Sequence, residues 1–95
     1  MTVGVLKITL LIPGSRSLKT KRQVIRSFKD RIKHKYNISV AETEYQDLWQ
    51  KCELGITTVN SSRQIVESTM DKIINDAEMN GNVQIIDLDR EVFSK

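Results

Sequence analysis

The chain has 95 residues, a length that suits a single domain spanning 1–95, and 39% of them are hydrophobic. One Cys (Cys52) and one His (His34) exclude an internal disulfide and fall short of the Cys/His set of a structural zinc site. The formal net charge of +3 conceals a dipole: residues 16–35 hold nine Lys/Arg and one acid (Asp30), and the rest of the chain holds six Lys/Arg and eleven acids.

The N-terminal stretch is apolar but broken by Lys7. No positively charged segment precedes it, no small-residue cleavage site follows it, and no run approaches the ~20 apolar residues of a membrane span. The expectation is a cytoplasmic protein without a membrane partner, a setting in which a free cysteine is stable.

Residues 2–12 read as a strand, with Leu6, Ile8, Leu10 and Ile12 on one face and Val3, Val5, Lys7, Thr9 and Leu11 on the other. Pro13 and Gly14 end it. Residues 18–36 read as a helix capped by Ser17, with Leu18, Ile25, Phe28, Ile32 and Tyr36 as its buried stripe. A second strand covers 38–45, and residues 46–51 form a turn or bulged connection. A third strand covers 52–59 with Cys52, Leu54 and Ile56 inward. Ser61 with Gln64 fits a capping box opening a second helix to about residue 79, with Ile65, Val66, Met70, Ile73, Ile74 and Ala77 as its stripe and Gly81 as its C-cap. A last strand covers 83–89, and residues 91–95 read as a loose end. The order β-α-β-β-α-β defines an α+β, ferredoxin-like sandwich: a four-stranded antiparallel sheet with both helices on one face and the other face open.

Three segments carry a resemblance: Leu11-Ile12-Pro13-Gly14-Ser15-Arg16-Ser17-Leu18-Lys19-Thr20-Lys21-Arg22, Ser39-Val40-Ala41-Glu42 and Gln46-Asp47-Leu48-Trp49-Gln50. In order and spacing they resemble the YlxP-like family, small bacterial proteins grouped as a domain of unknown function. The resemblance implies a ferredoxin-like fold and brings no established activity, substrate or cofactor. Genes of that family often lie near genes of translation initiation and ribosome maturation, which associates it with RNA or the ribosome.

The sharpest signal is on the first helix. Lys19, Arg22, Arg26, Lys29 and Lys33 are spaced 3, 4, 3 and 4 apart. That spacing is one straight row of about 21 Å beside the apolar stripe. It suits the phosphates of structured RNA or a ribosomal particle, with no DNA sequence specificity. A solvated face, or one neutralised by acids from elsewhere in the fold, is the alternative.

Ser15, Arg16 and Ser17 precede a helix N-terminus and form either a phosphate-binding loop or an ordinary turn and cap. Glu42, Glu44 and Asp47 offer paired carboxylates for acid–base work or a hard cation, or else Glu42 and Glu44 emerge from the core edge to pair with Lys21 or Arg22. Trp49 is either an exposed stacking or interface residue or a side chain folded back on the core. His34 reads as solvated and Cys52 as a buried hydrophobe. Met70 and Met79 read as core or edge filler.

The open face (Val3, Val5, Lys7, Thr9, Leu11, Ala41, Thr43, Tyr45, Thr57, Val59) lacks the aromatic signature of an RNA-recognition motif and suits protein contact or homodimerisation. No nucleophile–base–orienter set is evident, so the expectation is a binding module without catalytic residues, metal or cofactor. An RNA- or ribosome-associated role through the first helix leads. Protein interaction through the sheet comes second. An acylphosphatase-like anion-binding enzyme is a distant third, because the characteristic loop around its essential arginine is missing.

Overall fold

The computed structural model describes residues 1–95 throughout. The elements are β1 (Thr2–Leu11), α1 (Leu18–Lys35), β2 (Ser39–Glu44), β3 (Lys51–Asn60), α2 (Arg63–Glu78) and β4 (Gln84–Ser94). All strand pairings are antiparallel, in the order β2-β3-β1-β4. This is the expected ferredoxin-like sandwich, with β1 and β3 central and β2 and β4 at the edges. α1 packs over β2, and α2 packs over β1, β3 and β4.

Period-two alternation puts Leu6, Ile8 and Leu10 of β1, together with Cys52, Leu54 and Ile56 of β3, on the helix side, all fully or nearly fully buried. Ile25, Phe28 and Ile32 of α1 and Val66, Met70, Ile73 and Ala77 of α2 close over them. Gly4 marks the closest approach of helix to sheet: a Cβ there would lie 2.7 Å from Val66 Cγ1 and 3.0 Å from Met70 Sδ. A side chain at this position would lift α2 off β1. None of the helices is long and apolar enough to cross a membrane.

Several expectations need correction. Ile12, Tyr36, Ile38 and Tyr45 lie just outside the regular elements that were to contain them. The cap of α2 is Ser62, not Ser61: the Ser62 hydroxyl accepts from Ile65 N at 3.3 Å, and Asn60 Oδ1 accepts from Ser62 N at 2.9 Å. Ile65 lies off the buried line of Val66, Met70, Ile73 and Ala77 and is exposed. α2 ends on Met79 in the helical region and no glycine has positive φ, so Gly81 is not the left-handed cap. Asn80 makes that turn instead, its side chain accepting from Asn82 N at 2.9 Å.

The tail is not loose. β4 runs on to Ser94, held by backbone pairing with β1 rather than by side-chain burial, and Val92 packs against the core. β4 also adds Asp87, Asp89, Glu91 and Phe93 to the open face, opposite Thr9, Lys7, Val5 and Val3. That face is therefore acidic along one side and less apolar than β1 and β3 alone suggest.

Candidate nucleic-acid interface

Turning 100° per residue, α1 directs Lys21, Ile25, Phe28 and Ile32 into the protein. Lys19, Arg22, Arg26, Lys29 and Lys33 fall about 70–150° round the helix to one side of that line. Lys35, on the other side, reaches Asp76 of α2 at 3.3 Å. The row thus runs along the flank turned away from α2, beside edge strand β2. Four of its members are exposed and Lys29 is half-buried.

The ion pairs of the protein are Lys7–Asp89, Lys21–Glu42, Lys35–Asp76, Arg63–Glu67 and Arg90–Asp71. None takes a residue of the row. No acid from elsewhere in the fold comes within ion-pair distance of it, and Arg16 and Arg31 join no ion pair either.

Lys21 is the cation that behaves differently. It is fully buried, and its ammonium donates to the carbonyl of Tyr45 at 2.6 Å and to that of Gln46 at 3.4 Å. It meets Glu42 Oε2 at 2.8 Å as a close charge contact, with its hydrogen bonds directed at the carbonyls. This pairing is the structural alternative foreseen for Glu42. Glu44 and Asp47 are exposed and join no ion pair, so the paired-carboxylate reading has no cluster to rest on.

Beneath the pair lies Cys52. Burial, reinforced by the charge and hydrogen bonding of Glu42, pushes its thiol from 9.0 up to about 12. It is protonated and enclosed at neutral pH, unlike a reactive cysteine, whose value is lowered. Tyr36 is pushed from 10.0 to about 12 by burial and by its 2.7 Å hydrogen bond to Asp76. No group of three or more His, Cys, Asp or Glu side chains is arranged to hold a metal ion.

The Lys21 clamp shapes residues 45–50. Tyr45 has φ 66°, a left-handed conformation uncommon outside Gly and Asn. Its carbonyl is fixed by Lys21 Nζ and by Leu48 N at 3.0 Å, and its ring lies 4.2 Å from Lys51 Nζ. The register of β2 on β3 slips between Glu42 and Glu44, and Thr43 bulges over Gly55 to donate to Glu53 Oε2 at 2.6 Å. No local pattern announces either irregularity, and Tyr45 was not singled out by its sequence.

Trp49 is 54% exposed and Leu48 48%. The stacking-or-interface alternative for Trp49 therefore has the geometry it needs. The loop 13–17 is an ordinary turn and cap. Ser15 is buried and its hydroxyl donates to Ser17 O at 2.9 Å; Ser17 Oγ accepts from Thr20 N at 3.0 Å. Both hydroxyls are engaged within the chain, and Arg16 is the exposed donor that remains. The two loops are stapled together: Ile12 N donates to Gln50 O, and Gln50 Nε2 donates to Ser15 O, both at 2.9 Å. His34 and Met79 are exposed, and Met70 is in the core.

The family described as "Protein of unknown function (DUF503)" matches residues 3–90. The chain belongs to the DUF503 family. It is 35% identical over 72 residues to the uncharacterized protein YlxP of Bacillus subtilis (strain 168), covering 76% of this chain and 78% of that one. Among solved structures it is similar to the de novo designed protein Foldit4, with a TM-score of 0.55 and 11% identity, over 100% of this chain and 99% of the other. It is also similar to a de novo designed protein with ferredoxin fold, with a TM-score of 0.50 and 16% identity, over 100% and 87% of the two chains. Those two likenesses establish the fold alone. The span that DUF503 matches includes every candidate residue from Ser15 to Lys51.

Proposed function

We propose that this DUF503 protein is a small, non-catalytic RNA-binding module that grips the phosphate backbone of structured RNA through the outer flank of α1, in the cytoplasm and in association with ribosomal particles. The observation that carries the reading is the row Lys19, Arg22, Arg26, Lys29 and Lys33. It is straight, largely solvent-facing and joins no ion pair in a molecule that pairs five other cations. Like charges so aligned repel one another, and a polyanion relieves that cost. The open face carries Glu53, Asp87, Asp89 and Glu91 against Lys7 and Lys51, so RNA is directed to the helix side. Phosphate contacts position without reading sequence, and binding follows RNA shape.

The test is a fluorescence-anisotropy titration with an RNA hairpin. With about 3–5 phosphates engaged, log K falls against log salt with a slope near −2 to −4.5. The double variant Arg22→Glu, Arg26→Glu weakens all structured RNAs together and flattens the slope. Absence of binding below about 100 μM at about 50 mM salt overturns the reading.

A second use is favoured by a separate observation. A trough of about 340 Å³ crosses the open face at Gly55, walled by Val5, Ala41, Thr43 and Thr57. It suits contact with a second copy or another protein. Val5→Asp then lowers the mass seen by light scattering at high concentration, and a wild-type protein that stays strictly monomeric removes this reading.

A further inference from the structure

We infer that the slot beside Trp49 receives one unpaired nucleobase of an RNA whose duplex lies on α1; this rests on the RNA reading above and names the class of RNA bound. The slot is a shallow, largely open recess of about 340 Å³ at the end of the sheet, lined by Leu11 and Lys51 of the open face and by Leu48, Trp49 and Gln50 of the loop, next to the start of α1.

The exposure of Trp49 is built rather than incidental. A loop free to relax would turn its indole inward, because that side chain buries about 150–250 Å² when covered. Residues 45–50 are not free. Tyr45 O is held by Lys21 Nζ and Leu48 N, Gln50 O by Ile12 N, and the Gln50 amide by Ser15 O. Tyr45 is kept left-handed to make the turn. A strained residue persists where its surroundings over-determine it. Here they present an indole and Leu48 on a rigid support, so a ligand pays little to order them.

The walls suit a flat heteroaromatic ring. Trp49 provides a stacking face, and Leu11 and Leu48 provide apolar sides. Gln50 spends its amide N–H on Ser15 O and keeps its carbonyl oxygen as an acceptor for a ring amine. Lys51, whose ammonium rests over the Tyr45 ring, adds a positive charge beside the slot. Stacking accepts any base, so little base preference follows.

Position ties the slot to the row. The Gln50–Ser15 bond fixes the loop to the turn that opens α1, where Arg16 and Lys19 stand exposed without acidic partners. The Lys19 end of the row is therefore the end nearer the loop that carries Trp49. A duplex alone has no unstacked base to offer there, whereas a single-stranded tail does.

Trp49 is the one tryptophan of the chain, so intrinsic fluorescence reports on this slot alone. The full chain is titrated with a blunt RNA duplex and with the same duplex carrying a short single-stranded tail. The tailed duplex is expected to quench Trp49 and to bind about tenfold tighter or more. Trp49→Ala brings the tailed duplex down to the affinity of the blunt one, and Trp49→Phe keeps part of the gain. Circular dichroism confirms that both variants fold. If the two duplexes bind equally with the fluorescence unmoved, the slot is not a base site and Trp49 is a protein contact, while the reading of the row stands. If neither duplex binds, the RNA reading fails and takes this inference with it.

Discussion

Lys21 and Arg22 are adjacent in the chain and occupy opposite environments. Under α1, Lys21 is enclosed with Glu42, the carbonyls of Tyr45 and Gln46, and the Cys52 thiol below. On the outer flank, Arg22, Lys19, Arg26 and Lys33 stand in water and Lys29 is half-buried, and none of the five joins an ion pair. The inner cation has all its obligations met by the protein, and the outer ones have none met. Charge within one helix is thus divided between a part that builds a loop and a part left over for something outside the molecule.

The comparison is sharpened most by Lys21→Met. Removing one partner of a buried pair leaves Glu42 uncompensated, at about 3–5 kcal/mol. The thermal midpoint should fall by about 4–8 °C for each kcal/mol lost. Loss of less than about 1 kcal/mol in urea unfolding would show that the cluster is not a structural clamp.

An intermediate effect concerns pH. The Cys52 thiol and the Tyr36 phenol both hold their protons more tightly folded than unfolded. Their contribution is complete below the ordinary values of 9.0 and 10.0 and is lost as the pH climbs toward about 12. Stability followed by urea unfolding should begin to drop near pH 9.0, and in Cys52→Ala that onset should move toward pH 10.0. An onset that stays in place would dissociate Cys52 from the alkaline loss.

The smallest effect on the fold is expected where the effect on binding is largest. Arg22→Glu with Arg26→Glu should shift stability by no more than about 0.5 kcal/mol per site, because neither side chain has a partner to lose. A destabilisation comparable to that of Lys21→Met would erase the distinction between the two regions.

Most of the architecture was legible. Leu6, Ile8 and Leu10 alternate and Ile25, Phe28 and Ile32 recur because burial enforces the two periods. The extent of β4 was not. Asp87, Asp89, Arg90 and Glu91 lie on an edge strand exposed on both faces, where pairing is by backbone and leaves no alternation to read. The row on α1 was legible because helical spacing needs only sequence. The burial of Lys21 was hidden by the charges around it, although Glu42, in phase with Val40 on the helix side of β2, was a signal. The exposure of Trp49 depends on Tyr45 and on bonds reaching from Lys21 and Ile12, none of which is local to the loop.

The place of β1 has a consequence for how the chain is made. This strand is first in sequence and central in space, and Thr2 pairs with Ser94. On the ribosome it can zip onto β3 once Asn60 emerges, but its other side must wait for β4. At about 5–20 residues per second that interval is roughly 2–7 s. Throughout it, a half-made sheet shows one bare apolar edge, the geometry most open to mispairing with another nascent chain. The large sequence separation between β1 and β4 also slows folding, since the loop entropy is spent before β4 returns any contact.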